Sequence, residues 1–588
     1  MRFVALVVAA TIAACAGDEG RLELSPANLT VTIIDGEPVV QAYEATLIGS
    51  DGSHRDVTDE ARFVLDDPLY GAFSEATLEV SGRGAGPVRV SAATAGAIGD
   101  TTLSVVVQAT VLAPEVSPEM PALFEAAVED PARAPQIAYP ADGVLVPPNL
   151  GQLDVHWIAS PNAATDDLFQ VSIVSPYLDL RVFTKGLDPV DPAIKFWTMI
   201  PPALWTTIAS TRQRVKLAVT GTSAAAPATK GTSEIRQLDV ANENARGGVY
   251  YWSITRLAAD TGIYRYDIGR PDVPPAPLFP AGTSPSPCMG CHALSRDGTK
   301  IAMTLDNPDM RATVLEVGNR GQLIRYDQTV QERWNFATFS ADGAKLVTVF
   351  QGAMSLRSTY GGAILADLEN SPGTVATHPE LAPDNSRLVS VEATGMPGTI
   401  GGLFDLFSNQ GSLVVRTFDD ATNTFGPITM LVPADAAQLQ ANFYPSFSPD
   451  GEWIVFTRTT GAAYSDPSAQ TWVVKADGSM PPIQLAAANL TGNLTSSWAR
   501  WVPFAQTFGP ALEPMYYLSF SSMRPFGVRL PALASPQIWM APFFPERARA
   551  GLDPSGPAFR LPFQEVTAGN HVAQWTEAVV TTSGGSSW

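Results

Sequence analysis

Hydrophobic and polar residues alternate with a period of two in short runs along most of the chain, among them LTVTII (29–34), TLSVVV (102–107), FQVSIV (169–174) and KIAMTL (300–305). A period of two puts successive side chains on opposite faces of an extended backbone, so each run predicts a half-buried β-strand. Turn-forming residues separate the runs, and the 588 residues include 47 glycines and 49 prolines. That punctuation suits many short strands and not long helices, and the expected fold class is all-β.

The second half of the chain repeats one pattern four times: LSRDGTKIAMT at 294, FSADGAKLVTVF at 339, LAPDNSRLVSVE at 381 and FSPDGEWIVFTR at 447. Each copy reads as strand, tight turn, strand, because Asp-Gly and Asp-Asn accommodate the positive φ of a hairpin turn. The repeated aspartates Asp297, Asp342, Asp384 and Asp450 lie 45, 42 and 66 residues apart, the length of one four-stranded propeller blade, the longest with an insertion. These copies resemble the TolB-type β-propeller repeat, whose propeller has six blades. A fifth blade is expected from Trp498 through MYYLSFSS to QIWMAPF. A sixth is expected where the C-terminal HVAQWTEAVVTT pairs with a strand from before Cys288, such as GIYRYDIG. Closure by both ends of the chain leaves no exposed sheet edge. Aligning the copies makes Cys291, Phe336, His378 and Tyr444 equivalent, with Trp498 at the same offset and His571 one residue away, a ring expected at one mouth of the central channel.

Two sandwich modules are expected ahead of the propeller. Residues 15–108 hold about seven short strands with turns at 49–52 and 82–86. The order SPANLTV, SDGSHRDVTDEARF, GPVRVSAAT resembles the group 2 bacterial immunoglobulin-like domain, which implies a spacer or adhesive module. Residues 109–135 are rich in Pro, Ala and acidic side chains and predict a semi-extended linker. Residues 136–270, with YPADGVLVPPNLGQLDVHW, FQVSIVSP and GGVYYWSIT, resemble a fibronectin type III-like sandwich that contributes strands to the propeller if GIYRYDIG belongs there. The propeller then occupies 271–588. His54 and His156 each stand alone among residues that are poor metal ligands, and read as surface or core histidines.

The first fifteen residues, MRFVALVVAATIAAC, carry one positive charge at Arg2, then an apolar stretch, then small residues ending at a cysteine. This is the layout of a signal peptide, too short to span a bilayer. Ile12-Ala13-Ala14-Cys15 resembles the bacterial lipobox, which implies cleavage after residue 14 and lipidation of Cys15. A lipid anchor would hold the protein outside the cytoplasm at a membrane, and Ala16-Gly17 in place of an aspartate favours the outer membrane, on its periplasmic or surface face.

Cys288-Met289-Gly290-Cys291-His292 is the one chemical motif. C-x-x-C-H is the attachment signature of a c-type haem: two thiols add to the porphyrin vinyl groups and the adjacent histidine ligates the iron. On this reading haem c is held by Cys288, Cys291 and His292, with His378, His571, Met303 or Met289 as candidate distal ligands. Met303 sits on a strand and reads better as blade core. A Cys288–Cys291 disulfide or dithiol, or another metal, remains an alternative reading of the same residues.

The formal net charge of −21 repels phosphate backbones, so no nucleic-acid partner is expected. No G-x-S-x-G, H-E-x-x-H or Walker loop occurs, and no room remains after the propeller for a hydrolase domain. The sequence therefore leaves two functions, neither of them with an assigned catalytic residue. One is a lipid-anchored haem protein exchanging electrons with a redox partner. The other is a non-enzymatic scaffold that binds protein or polysaccharide and carries no haem.

Overall fold

A computed structural model of the chain describes residues 20–94, 96–186, 194–255, 261–279, 289–305, 311–325, 332–394, 410–461 and 466–581. The signal segment with Cys15, the first motif cysteine Cys288 and the side chain of Met289 lie outside the described residues. The chain divides into two compact units: Met1–Pro121 with Gln170–Thr184 and Ala203–Thr211, and the remainder.

The first unit is built of strands whose alternate side chains turn inward, as in the antiparallel pair Gly86–Thr94 and Ala97–Leu112, the second of which also pairs in parallel with Leu29–Ile34. One three-stranded sheet runs through Arg21–Ser25, Glu44–Ile48 and His54–Asp56. Leu22, Ile33, Tyr43, Ala45, Val90, Leu103 and Val105 are buried and form its core. His54 is exposed, as expected. The expected linker departs from its sequence reading at both ends. Residues 109–112 continue the strand Ala97–Leu112, which pairs in parallel with Leu178–Thr184, and Pro121–Ala126 forms a helix. The alternation simply persists through QATVL, which outweighs the prolines that follow.

In the second unit a small sandwich precedes the propeller. Gln136–Tyr139, Leu153–Ile158 and Lys195–Ile200 make one antiparallel sheet; Val144–Val146, Arg236–Val240 and Val215–Thr222 pair as a second group. Trp157, fully buried, packs on Phe169 and Phe196. His156 is a core histidine: its Nδ1 accepts the backbone N–H of Val528 at 3.3 Å, and its ring packs on Tyr139, Trp197 and Phe526. Arg529 donates to Asp154 at 2.7 Å and covers the face of Trp197, which ties this sandwich to a loop of the fifth blade.

Six sheets follow, each one blade. The first four blades start with the inner strands Met289–Leu294, Phe336–Phe339, Thr374–Leu381 and Ala441–Phe447. The fifth starts with Ser497–Trp501 and continues through Glu513–Ser522 and Gln537–Phe543. In the sixth, the C-terminal strand Gly569–Thr576 is innermost and pairs with Gly248–Ile254, followed by Gly262–Asp267. The strand Gly248–Ile254, grouped by its sequence with the sandwich, is thus hydrogen-bonded into the propeller. Each inner strand packs against the next, and the sixth packs against the first, which closes the ring.

The Asp-Gly turns behave as their chemistry dictates. In the first two and the fourth, the amide of the glycine donates to the serine carbonyl three residues before it, as Gly343 does to Ser340 at 2.8 Å. Gly298, Gly343, Asn385 and Gly451 take φ of 75°, 66°, 59° and 71°, the left-handed region that glycine and asparagine tolerate best. The aspartates cap their turns: Asp342 accepts the amide of Ala344 at 3.0 Å and the hydroxyl of Ser340 at 2.7 Å.

Candidate functional site

In five of the six blades the inner strand carries a β-bulge at the same place, with register shifts at Gly290/Ala293, Thr377/Glu380, Phe443/Ser446 and Ser497/Arg500, and at Tyr250/Trp252 opposite the sixth. The residue at each bulge is left-handed: Cys291, His378, Tyr444, Trp498 and Val572, with φ of 42°, 45°, 52°, 56° and 56°. Non-glycine residues in this region carry a cost of about 1–2 kcal/mol, and such strain clusters where backbone is held for a purpose. A bulge re-aims the side chains that follow it. Only Phe336, in the second blade, reaches its position in unbulged pairing.

These residues are the ring expected from the sequence, but they do not stand at a mouth. Phe336, His378, Tyr444 and Trp498 are all buried, so the ring lies inside the channel as a floor of packed aromatic side chains. Tyr444 and Trp498 stack with centroids 3.8 Å apart, His378 lies 4.2 Å from Tyr444, and Phe336 lies 4.3 Å from His378. Cys291 packs against the same core.

Above this floor is a cavity of about 160 Å³ reaching to the loops of the Asp-Gly turns at Arg296, Ala341, Pro383 and Pro449. Its wall is polar because of the residues two positions beyond the ring: Thr338, Glu380, Ser446, Arg500 and Gln574, with Ala293 in the first blade. The hydroxyl of Ser446 donates to Glu380 at 3.2 Å. Burial raises the pKa of Glu380, opposed by Arg500 and by the Ser446 hydroxyl. Arg500 makes no ion pair among the described residues; its Nη1 donates to the carbonyl of Ala499 at 3.0 Å, and its Nε is buried without a partner. Both ring nitrogens of His378, 4% exposed, are also without partners. Burial, and then the charge of Arg500, hold His378 well below its ordinary pKa.

Of the motif, the cavity wall contains Cys291 and His292. His292 is 4% exposed, with Nε2 3.5 Å from the carbonyl oxygen of Tyr250. Burial pushes its pKa down to about 4. His571 does not line the cavity. It lies within electrostatic reach of His292 and is likewise held down to about 4, by burial and then by His292. Met303 is fully buried in the first blade among Ile301, Leu305 and Tyr250, a packing residue.

A c-type haem asks this site for imidazole donors and for space. The donors suit iron, since both imidazoles are neutral. The space does not. Sites for drug-sized ligands start at about 300 Å³, a porphyrin needs more, and this cavity is floored by the aromatic stack. The channel as formed by the described residues therefore does not fit a haem. No cluster of three or more His, Cys, Asp or Glu side chains placed to hold another metal ion occurs among the described residues.

The polar wall was missed in the sequence, although the same repeat alignment read two positions further on would have shown it. Thr338, Glu380, Ser446, Arg500 and Gln574 fall at one repeated offset in the inner strands.

The chain matches no protein-family model and no curated protein. Among solved structures it is similar to a putative TolB from Agrobacterium tumefaciens, at 13% identity over 56% of this chain and 99% of that chain, with a TM-score of 0.30. It is similar to TolB from Acinetobacter baumannii at 10% identity over 62% and 80%, with a TM-score of 0.33. It is also similar to hydrazine synthase from Kuenenia stuttgartiensis at 13% identity over 54% and 82%, with a TM-score of 0.29. Scores this low carry no argument, and the number and order of blades rest on the strand pairing above. The chain is an all-β protein with a six-bladed propeller behind sandwich modules.

Proposed function

We propose that this protein is a non-enzymatic binding propeller, and that its ligand enters the central channel from the side of the Asp-Gly turns. The observation that supports this reading is Arg500. A half-buried guanidinium without a carboxylate partner stabilises little, and here it stands in a polar cavity beside a histidine with both ring nitrogens unpaired. Groups left unsatisfied in this way at one cavity call for a partner there, a water, an ion or a ligand. The sandwich modules then act as spacers, and the sequence reading of Cys15 makes the anchor a lipid on the outer membrane. Among the described residues no helix is long and apolar enough to cross a membrane. Cys15→Ser tests the anchor by release of the protein from sedimented membranes. The channel is tested by Arg500→Gln in the full chain: a molecule that remains bound to the wild type through purification is lost from the variant.

A second reading rests on the motif itself and on His571 lying within electrostatic reach of His292. It keeps Cys288-Met289-Gly290-Cys291-His292 as the covalent attachment of haem c, seated outside the channel cavity that is too small for it, and the protein as an electron carrier with a redox partner. Haem-stained denaturing gels of protein exported from a host with cytochrome c maturation decide it. A covalent band lost in Cys291→Ala supports haem, and none beside a maturing control cytochrome sinks it.

A further inference from the structure

The six blades present Ala293, Thr338, Glu380, Ser446, Arg500 and Gln574 in ring order, so the carboxylate of Glu380 and the guanidinium of Arg500 stand two blades apart with Ser446 between them. They feel each other electrostatically but do not pair: Glu380 takes the hydroxyl of Ser446, and among the described residues Arg500 takes only the carbonyl of Ala499. One acceptor of negative charge and one donor fork of positive charge therefore face the same small cavity from different walls. Beneath them the floor is apolar, with Phe336 and Trp498 retaining 7% and 6% exposure.

Resting on the reading that the channel binds a ligand, we propose that the ligand is a small zwitterion of the α-amino-acid class. Its carboxylate lies on the edge of the Arg500 guanidinium that the carbonyl of Ala499 leaves open, its ammonium is directed to Glu380, and its side chain rests on Phe336 and Trp498. Three features argue for this class. A guanidinium offers a carboxylate two parallel hydrogen bonds, which a lone hydroxyl cannot match. A partnered carboxylate nearby penalises a simple anion and rewards a ligand that carries its own cation. The cavity of about 160 Å³ admits a small molecule and excludes a folded partner. The unpaired His378, at the cavity floor, is left to hydrogen-bond the ligand.

The test is calorimetry on the full chain with the free L-α-amino acids supplied singly, alongside propionate and ethylamine as half-ligands. The expected result is saturable binding of at least one amino acid and none of either half-ligand. Arg500→Gln and Glu380→Gln each weaken that binding at least tenfold, and Arg500→Lys, which keeps the charge, weakens it less than Arg500→Gln. Circular dichroism of each variant shows that the blades are intact. The proposal falls if no amino acid saturates the protein up to ~10 mM, an affinity weaker than a specific small-molecule site needs. It falls equally if propionate binds as tightly as the amino acids, or if both variants bind unchanged. If amino acids fail while another molecule remains bound to the wild type and is lost in Arg500→Gln, this inference is overturned and the channel reading stands.

Discussion

Tyr444 and Trp498, from adjacent blades, stack with ring planes 22° apart and centroids 3.8 Å apart, and they close the floor of the channel. Each sits at a bulge in a left-handed conformation. The stack therefore joins two blades at their most strained point, and it forms the base on which the polar wall stands. Trp498→Ala removes the largest side chain of the floor and is expected to cost about 3–5 kcal/mol, read as a lower urea midpoint with an unchanged slope.

Val572 is the bulge residue of the closing blade, a β-branched side chain at φ of 56°. Glycine relieves that backbone where alanine does not. Both substitutions remove the buried isopropyl group, so the difference between them isolates the backbone. Val572→Gly is expected to be more stable than Val572→Ala by about 1 kcal/mol, the reverse of the usual order within a strand. Equilibrium unfolding of the two variants side by side checks the sign.

The repeats were legible because turn chemistry and strand alternation coincide in them. Asp297, Asp342, Asp384 and Asp450 locate four blades, and alignment on the adjacent apolar residue placed Cys291, His378 and Tyr444 correctly as equivalents. It also placed His571 one residue from Val572, the actual bulge residue. The depth of the ring was not legible, because a bulge leaves no mark in a period-two pattern. The strand Gly248–Ile254 carried no Asp-Gly signal and was grouped with its sequence neighbours. Its partner lies more than 300 residues away, a pairing that no local pattern encodes. Arg500 and Glu380 were visible as residues, but their lack of a mutual ion pair is a property of the folded ring alone.

Two arginines make a direct contrast. Arg416 pairs with Glu392 at 3.3 Å, with side chains only 5% and 3% exposed. Arg500 pairs with no carboxylate among the described residues. Arg416→Gln leaves a buried carboxylate unpaired and is expected to cost about 3–5 kcal/mol. Arg500→Gln removes no ion pair and is expected to change stability by less than ~1 kcal/mol. Thermal unfolding of both variants distinguishes a structural guanidinium from a functional one.

The turn aspartates set an acid limit. The amide of Ala344 and the hydroxyl of Ser340 hold Asp342 below the ordinary carboxylate range. Asp297 and Asp384 are lowered too: burial raises them, but hydrogen bonds from Ser295 and Thr299, and from Ser386, outweigh it. A folded pKa below the unfolded one means that the unfolded chain binds more protons as the pH falls. The stabilisation is complete above the unfolded value of about 3.9 and is lost as the pH drops through the folded value. Stability is therefore expected to decline below about pH 4 through these turns, and Asp342→Asn removes part of that decline. Urea midpoints of the two proteins between pH 5 and pH 2.5 would show parallel curves if the turn carboxylates carried no such linkage.

The central claim is that the channel of this propeller holds a non-covalent ligand through Arg500. Mass spectrometry of the full chain purified from the cells that produce it, under native and then denaturing conditions, tests it most directly. The account predicts an added small-molecule mass on the native wild type, absent after denaturation and absent from Arg500→Gln. A bare chain in both proteins, or an added mass that survives denaturation and disappears in Cys291→Ala, would contradict it.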